Sequence, residues 1–543
     1  MRRIHSSAWF LVIISAVLQV VIFPLADLYW LSWFAVTPLL IALLRARAAG
    51  ELQLNAHVKL AAATPWQGFL LGYLCGILWC LGTCYWVFDT MHRYGGLPVP
   101  AALFVLALFC MYIGLYHGSF GILMALVAGR GAPLRRALVA APFLWVAVEL
   151  ARTRITAFPW ELLGYAQTGN FALTRITTLT GVYGLSFEIV LVNSAFAAVF
   201  LVEKIRRKRL LLAAFGAALV LQACQWMVRP PQGVADHAAL LVQPNIPIEA
   251  NWTRDYFESR LGELKSLSLK YKGNDYPIKP ESGLMTPGSL PLIPNLIVWP
   301  ESPAPFYTND SHFRDPVSEL AEQSRSWVIA GAIGITPAMH SGGQSSQIFN
   351  SAALISPQGE WTARYDKVHL VPFGEYLPFP QVFGFAGGLT KEVGEFQRGA
   401  SRNPLAAGDE RVGTFICYES IFPDEVRQFA VAGAQVFVNI SNDGWYGDSG
   451  AWKQHLQQTR MRAIENDRWL MSATNTGLTA AIDPAGRVIA EVPRKQRTAL
   501  IATYGLIRGT TFYTRHGDWF AYLCAIISVG ALAARGLFQG SKR

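Results

Sequence analysis

Apolar stretches crowd the first 229 residues of this chain and leave few folds open to it. Seven occur there and an eighth lies near the end: Ala8–Ala26, Tyr29–Leu44, Gly68–Phe88, Val99–Val127, Ala137–Leu150, Gly181–Val202, Leu210–Val228 and Trp519–Ala534. Roughly 20 apolar residues are needed to cross a bilayer as a helix, and a backbone in lipid must satisfy its own hydrogen bonds. The fifth stretch is the shortest. Over all 543 residues the chain is 52% hydrophobic and only 15% charged, too apolar for an ordinary soluble protein. Arg2 and Arg3 precede the first stretch and no small-residue cleavage signal follows it. It therefore reads as a retained helix, not a removed leader.

Orientation follows from where lysine and arginine collect, since basic loops stay in the cytoplasm. Arg2-Arg3, Arg45 with Arg47, Arg130 with Arg135 and Arg136, the Lys204–Arg209 run and Lys542-Arg543 all fall on one side of an eight-helix arrangement. The polar block from Arg229 to His516 then falls on the other. Arg152, Arg154 and Arg175 go against the pattern, in a loop this scheme places outside. The net charge of +10 is thus mostly topological, and no nucleic-acid partner is expected. No ligand spacing for a metal and no phosphate-cradling loop occurs, so no cofactor is expected either.

Between Pro230 and Leu506 the texture changes to short β-rich runs punctuated by Pro, Gly, Asn and Asp. Candidate strands are Ala239–Gln243, Asn295–Trp299, Trp327–Ile335, Ser351–Ser356, Val412–Tyr418, Gln435–Ile440, Leu470–Thr474 and Leu478–Ile482, with helices at Val317–Ser326 and Ala451–Asn466. Uninterrupted runs such as Leu296-Ile297-Val298 suit strands covered on both faces. Strands alternating with helices predict a layered α/β domain with its own core. Lys279–Pro294, rich in Pro, Gly and Ser, reads as a loop insertion.

Three reactive side chains end apolar runs in this block. Glu301 follows Val298-Trp299-Pro300, where apolar walls favour the neutral acid and suit a general base, although a loop or capping glutamate fits the same position. Lys367, in Tyr365-Asp366-Lys367-Val368-His369, offers a fixed positive charge to an oxyanion or is simply a solvated lysine. Glu375 lies close by, and His369 reads as structural. Cys417, in Thr414-Phe415-Ile416-Cys417-Tyr418-Glu419-Ser420, stands alone, because the other six cysteines all fall in membrane-type stretches. An unpaired thiol in an oxidising compartment is a liability unless it is buried as a small hydrophobe or used as a nucleophile.

Glu301, Lys367 and Cys417, in that order, resemble the Glu–Lys–Cys triad of the nitrilase superfamily. Such a block behind seven spans and before one more resembles the apolipoprotein N-acyltransferase family of bacterial inner membranes. The likeness extends to Phe158-Pro159-Trp160 with Gly164-Tyr165, to Leu241–Pro247 with Trp252, and to Asn439-Ile440-Ser441-Asn442-Asp443-Gly444-Trp445-Tyr446. The Lys279–Pro294 insertion departs from it. The resemblance implies a membrane all-α domain of about eight helices plus an αββα nitrilase-like sandwich. Its boundaries would be 1–229 for the membrane part, 230–508 for a periplasmic catalytic domain, and 509–543 for a last span and cytoplasmic tail.

The implied reaction moves an acyl chain from a phospholipid to the N-terminal amine of a diacylated apolipoprotein, through a thioester on Cys417. Glu301 is then the base and Lys367 the oxyanion stabiliser. Glu375 and Glu419 position the triad, and Tyr418 and Trp252 shape the acyl pocket. The chain is expected to act as a monomer. Glu188, inside the sixth stretch, is expected to be paired in the interior or to serve substrate. Two other readings stay open: a membrane-anchored amidohydrolase that gives its acyl group to water, and a non-catalytic ligand-binding domain on a membrane scaffold.

Overall fold

The computed structural model describes the chain apart from residues 1–2, 49–59, 130–133, 202–203, 225–234, 249, 271–293, 303, 338–345, 378–380, 382–395 and 541–543. The expected insertion Lys279–Pro294 lies outside the described residues except for Pro294. The N-terminal half is helical: α1 (Ser6–Val21), α2 (Thr37–Leu44), α3 (Pro65–Thr83), α4 (Val99–Ala128), α5 (Leu134–Ala151), α6 (Val182–Leu201) and α7 (Lys204–Cys224). Among the described residues, α3, α4 and α6 are long and apolar enough to cross a membrane. α1 and the stretches Tyr29–Leu44 and Trp519–Ala534 are apolar but shorter. The second stretch is broken ahead of α2, where the backbone N–H groups of Val36 and Thr37 turn to the Asn193 side chain on α6 (2.9 and 2.8 Å).

The α3–α4 crossing is set by residues without side chains. Gly68, Gly72 and Gly76, four apart on one face of α3, lie against Gly121, His117 and Gly114 of α4. A Cβ at Gly68 or Gly72 would overlap a carbonyl oxygen of the neighbouring helix. Small residues at this spacing are how helices approach closely in lipid. α3 starts from a capping box in which Thr64 and Gln67 satisfy each other's backbone N–H.

The second half contains two six-stranded sheets. In chain order the strands are β1 (His237–Gln243), β2 (Leu296–Val298), β3 (Trp327–Thr336), β4 (Gln347–Ile355), β5 (Trp361–Asp366), β6 (Leu405–Ala407), β7 (Glu410–Ile416), β8 (Val436–Ser441), β9 (Leu470–Thr474), β10 (Thr479–Ile482), β11 (Val488–Val492) and β12 (Thr498–Tyr504). One sheet runs β12-β1-β2-β3-β4-β5 and the other β11-β10-β9-β8-β7-β6. Alternation along β1 shows the layering: Ala239 and Leu241 face the core shared with the second sheet, while Leu240 and Val242 face the helices outside. Those helices are α8 (Arg254–Leu269) and α9 (Ser311–Ser324), matched on the second sheet by α10 (Pro423–Val431) and α11 (Ala451–Asn466). The chain leaves β12 and ends in α12 (Trp519–Gly540).

Two of the three arginines that went against the charge pattern, Arg154 and Arg175, have partners in the second half of the chain, whereas Arg152 donates to the Glu161 carbonyl. Arg154 pairs with Asp424 at 3.0 Å and with Asp518 at 2.6 Å, and Arg175 reaches Asp467 at 3.5 Å. They serve the junction of the two halves. Glu188 Oε2 is buried and has no hydrogen-bond partner among the described residues, so the interior pairing that its position suggested is not seen at that oxygen.

Candidate active site

Two strands of like direction in the first sheet, β2 and β5, deliver an acid and a base group at their C-terminal ends. Glu301 follows β2 after Trp299 and Pro300, and the turn presses on β3 at Gly331, where a Cβ would overlap the Pro300 carbonyl oxygen. Lys367 follows β5. From the second sheet, Cys417 follows β7, and Asn442 follows the parallel strand β8. Four chain segments remote in sequence thus end at one place.

Lys367, 1% exposed, puts Nζ 2.9 Å from Glu375 Oε1 and 3.3 Å from Glu301 Oε1. Asn350, the neighbour of Lys367 across the sheet edge, donates its side-chain amide to both carboxylates, at 2.7 Å to Glu301 and 2.6 Å to Glu375. The second oxygen of Glu301 accepts the Asn442 backbone N–H at 2.9 Å, and that of Glu375 accepts the Val371 N–H at 2.8 Å. Both carboxylates are therefore oriented by donors as well as charge. Burial opposes the ammonium, yet Glu301, Glu375 and the Cys417 sulfur outweigh it and hold the Lys367 pKa above its ordinary value.

Cys417 is 7% exposed and has φ of +49°, in the left-handed region. A non-glycine residue there costs about 1–2 kcal/mol, and such strain persists only where the surroundings over-determine it. Burial, then the Glu301 carboxylate, push the thiol well above its usual range against the pull of Lys367. Glu419, two residues on, braces the turn: it accepts from the backbone of Ile416 (2.8 Å), Val368 (2.8 Å) and His369 (3.1 Å) and from the Tyr365 hydroxyl (2.7 Å). Burial raises its pKa, against those same hydrogen bonds.

The supporting residues divide. Tyr418 joins an apolar cluster with Trp79 and Cys84 of the α3 region, Trp160, Ile421, Phe422 and Tyr446, so the wall beside Cys417 is built by both halves of the chain. Trp252 is partly buried and edge-on to Tyr256 at 5.1 Å, and it packs on the core beneath α8. His369 turns to Glu425 (2.8 Å) and stacks on Phe422, in keeping with a structural role. Among the described residues, no group of three or more His, Cys, Asp or Glu is arranged to hold a metal.

Two family models match the chain. Residues 15–195 match the apolipoprotein N-acyltransferase N-terminal domain, and residues 294–508 match carbon-nitrogen hydrolase. An apolipoprotein N-acyltransferase of Geobacter metallireducens is 33% identical over 537 residues, covering 97% of this chain and 95% of the relative. One from Methylococcus capsulatus is 33% identical over 487 residues, 87% and 88% of the two chains. The chain belongs to the apolipoprotein N-acyltransferase family.

Its sandwich domain has the nitrilase-like fold. Among solved structures, a carbon-nitrogen hydrolase from Helicobacter pylori is 16% identical and covers 50% of this chain and 89% of its own, with a TM-score of 0.34. An amidase from Nesterenkonia is 18% identical, covering 54% and 97%, also at 0.34. For this member of the N-acyltransferase family, reading the sequence missed Asn350, the fork between the two carboxylates. It also gave no role to Asn442, Asp443 or His455. Asn442 and Asp443 lie in the quoted run Asn439–Tyr446, so the motif was visible although its contacts were not.

Proposed function

We propose that this chain transfers an acyl group from a phospholipid to the N-terminal amine of a diacylglyceryl-cysteine on an apolipoprotein, with Glu301, Lys367 and Cys417 as its catalytic residues. The observation that carries the reading is the convergence of a buried thiol, a buried ammonium and two oriented carboxylates beside an apolar wall shared with the membrane helices. Family membership supports it.

In the first step Glu301 takes the Cys417 proton and the sulfur attacks the ester carbonyl. Lys367 and backbone N–H groups of the Cys417–Ile421 turn hold the oxyanion. The carbon–oxygen bond breaks, and the proton on Glu301 passes to the glycerol oxygen of the departing lysophospholipid. In the second step the amine attacks the thioester and Glu301 takes a proton from nitrogen. The carbon–sulfur bond then breaks, and that proton returns to sulfur. The sum is an amide and a lysophospholipid, with the enzyme unchanged. A thioester is activated toward amines, so no external energy source is required. Glu375 and Glu419 act as positioning residues, and Tyr418 lines the acyl wall.

The same reading places residues 1–229 in the bilayer as seven spans and 509–543 as an eighth with its tail. Residues 230–508 form the catalytic domain on the periplasmic face of a bacterial inner membrane. The distribution of lysine and arginine supports that orientation, as do the apolar helices.

The test is purified full-length protein with labelled phospholipid and a diacylated peptide. Acylated peptide is expected, together with an acyl-sized mass increment on Cys417 that Cys417→Ala lacks. Release of fatty acid alone would point to a hydrolase, and no increment on Cys417 would end the thioester reading.

A further inference from the structure

α11 meets the site with two adjacent side chains. Gln454 accepts the Trp160 indole N–H at 2.9 Å and donates to the carbonyls of Pro24 and Thr83 at 3.1 and 3.2 Å. His455 turns the other way. Its Nδ1 is 3.1 Å from Asp443 Oδ1, and its Nε2 is 3.1 Å from the Cys417 carbonyl oxygen and 2.8 Å from Ser420 Oγ. His455, Asp443 and Ser420 are 2%, 4% and 0% exposed. The Trp160 ring lies parallel to the imidazole at 6.5 Å.

The chemistry of these partners sets the direction of the bonds. The Cys417 carbonyl offers only lone pairs, so it bonds to the imidazole where Nε2 carries the proton, and Ser420 Oγ lies within reach of the same nitrogen. The carbonyl in question belongs to Cys417, the residue held at φ +49°. If Cys417 relaxed to a right-handed conformation, its carbonyl would swing away from the imidazole. Glu419 fixes the strand end ahead of Cys417 through the Ile416 N–H. The peptide after it opens the 3-10 turn Cys417–Ile421, and its carbonyl also meets the imidazole.

We propose that His455, oriented by Asp443, is a positioning residue for Cys417. It donates from Nε2 to the Cys417 carbonyl, locks the left-handed turn, and keeps the sulfur aimed at Glu301 and Lys367. Gln454, one residue earlier, ties the same helix to the membrane half. The proposal rests on the reading of Cys417 as the nucleophile.

The experiment uses full-length protein in detergent with three variants. His455→Phe keeps a ring beside Trp160 and removes both nitrogens, His455→Gln restores a donor, and Cys417→Ala is the blank. Two rates are read on Cys417 by mass: acylation from phosphatidylethanolamine micelles, and alkylation by iodoacetamide, which needs no phospholipid. Misplacing the sulfur by about 1 Å is expected to slow both in His455→Phe by on the order of 10²-fold. Half-saturating phospholipid should stay unchanged, and His455→Gln should recover at least about tenfold of the loss.

Wild-type rates in His455→Phe overturn the proposal, and so does a His455→Gln variant no faster than His455→Phe, which would assign the histidine to packing alone. Should His455→Phe fail to fold, His455→Asn replaces it as the variant with a shortened donor, and wild-type rates there overturn the proposal equally. The two readings fail separately. Slowed alkylation without any acyl adduct in wild type keeps the positioning role and removes acyl transfer. An adduct that forms equally fast in His455→Phe does the reverse.

Discussion

Lys367 separates two buried carboxylates that would otherwise face each other. Lys367→Met is expected to lower acyl-enzyme formation by on the order of 10³-fold, as loss of an oxyanion donor does, in a mass-based single-turnover assay. Lys367→Arg should not rescue it, because a planar fork does not fit where a single ammonium reaches two carboxylates. Asn350→Leu tests the fork on its other side. Glu301 and Glu375 each lose an amide donor but keep the Lys367 ammonium, so the expected destabilisation is about 1 kcal/mol for each hydrogen bond lost, measurable as a fall in Tm. Glu301 and Cys417 were legible because each follows an apolar run, and Lys367 through the motif around it. Asn350 was not, since nothing in Gln347-Ile348-Phe349-Asn350 marks it until strand pairing sets it beside Lys367. His455 was hidden for the same reason: its partners come from two other strands' ends.

Elements with a strong pattern were read closely. Leu470–Thr474 and Ala451–Asn466 fall on their observed bounds. β5 was missed because Thr362 and Ala363 are exposed on an edge strand and dilute the apolar signal, and α8 because it buries little beyond Leu261, Leu264 and Ser268. The α3–α4 crossing makes a sharper prediction. Gly72→Val drives methyl groups into the His117 backbone of α4, so overpacking is expected to cost about 1–3 kcal/mol, seen as lower Tm in detergent, whereas Gly216→Ala on α7, where the added atom meets nothing, should be silent.

At the junction, Asp424 is partly buried, which alone would raise its pKa. The Arg154 hydrogen bond and the Arg427 charge outweigh burial and hold it below the ordinary aspartate value. A carboxyl lowered on folding contributes stability that is present above its unfolded pKa of about 3.9 and lost as pH falls through the folded value. Tm should therefore drop more steeply with acidification below about pH 4 in wild type than in Asp424→Asn.

For the whole molecule, the apolar wall beside Cys417 belongs to both halves. A fragment of residues 235–508 keeps Glu301, Lys367, Glu375 and Cys417 but exposes Tyr418, Ile421, Phe422 and Tyr446, which pack against Trp79 and Trp160 in the full chain. The fragment is expected to self-associate in size-exclusion chromatography and to form no acyl adduct. Monomeric fragment with wild-type acylation would show that the helices serve only as an anchor.

The segment between α3 and α4 grips the loop that follows β8. Thr90 and Tyr94 donate to the carbonyls of Trp445 and Gly444, and Tyr85 accepts the Gly450 N–H. Asn442 of that loop holds Glu301. Domain swaps between relatives thus carry a hidden condition: a transplanted sandwich keeps Glu301 in register only if the recipient supplies a matching Tyr85–Tyr94 stretch.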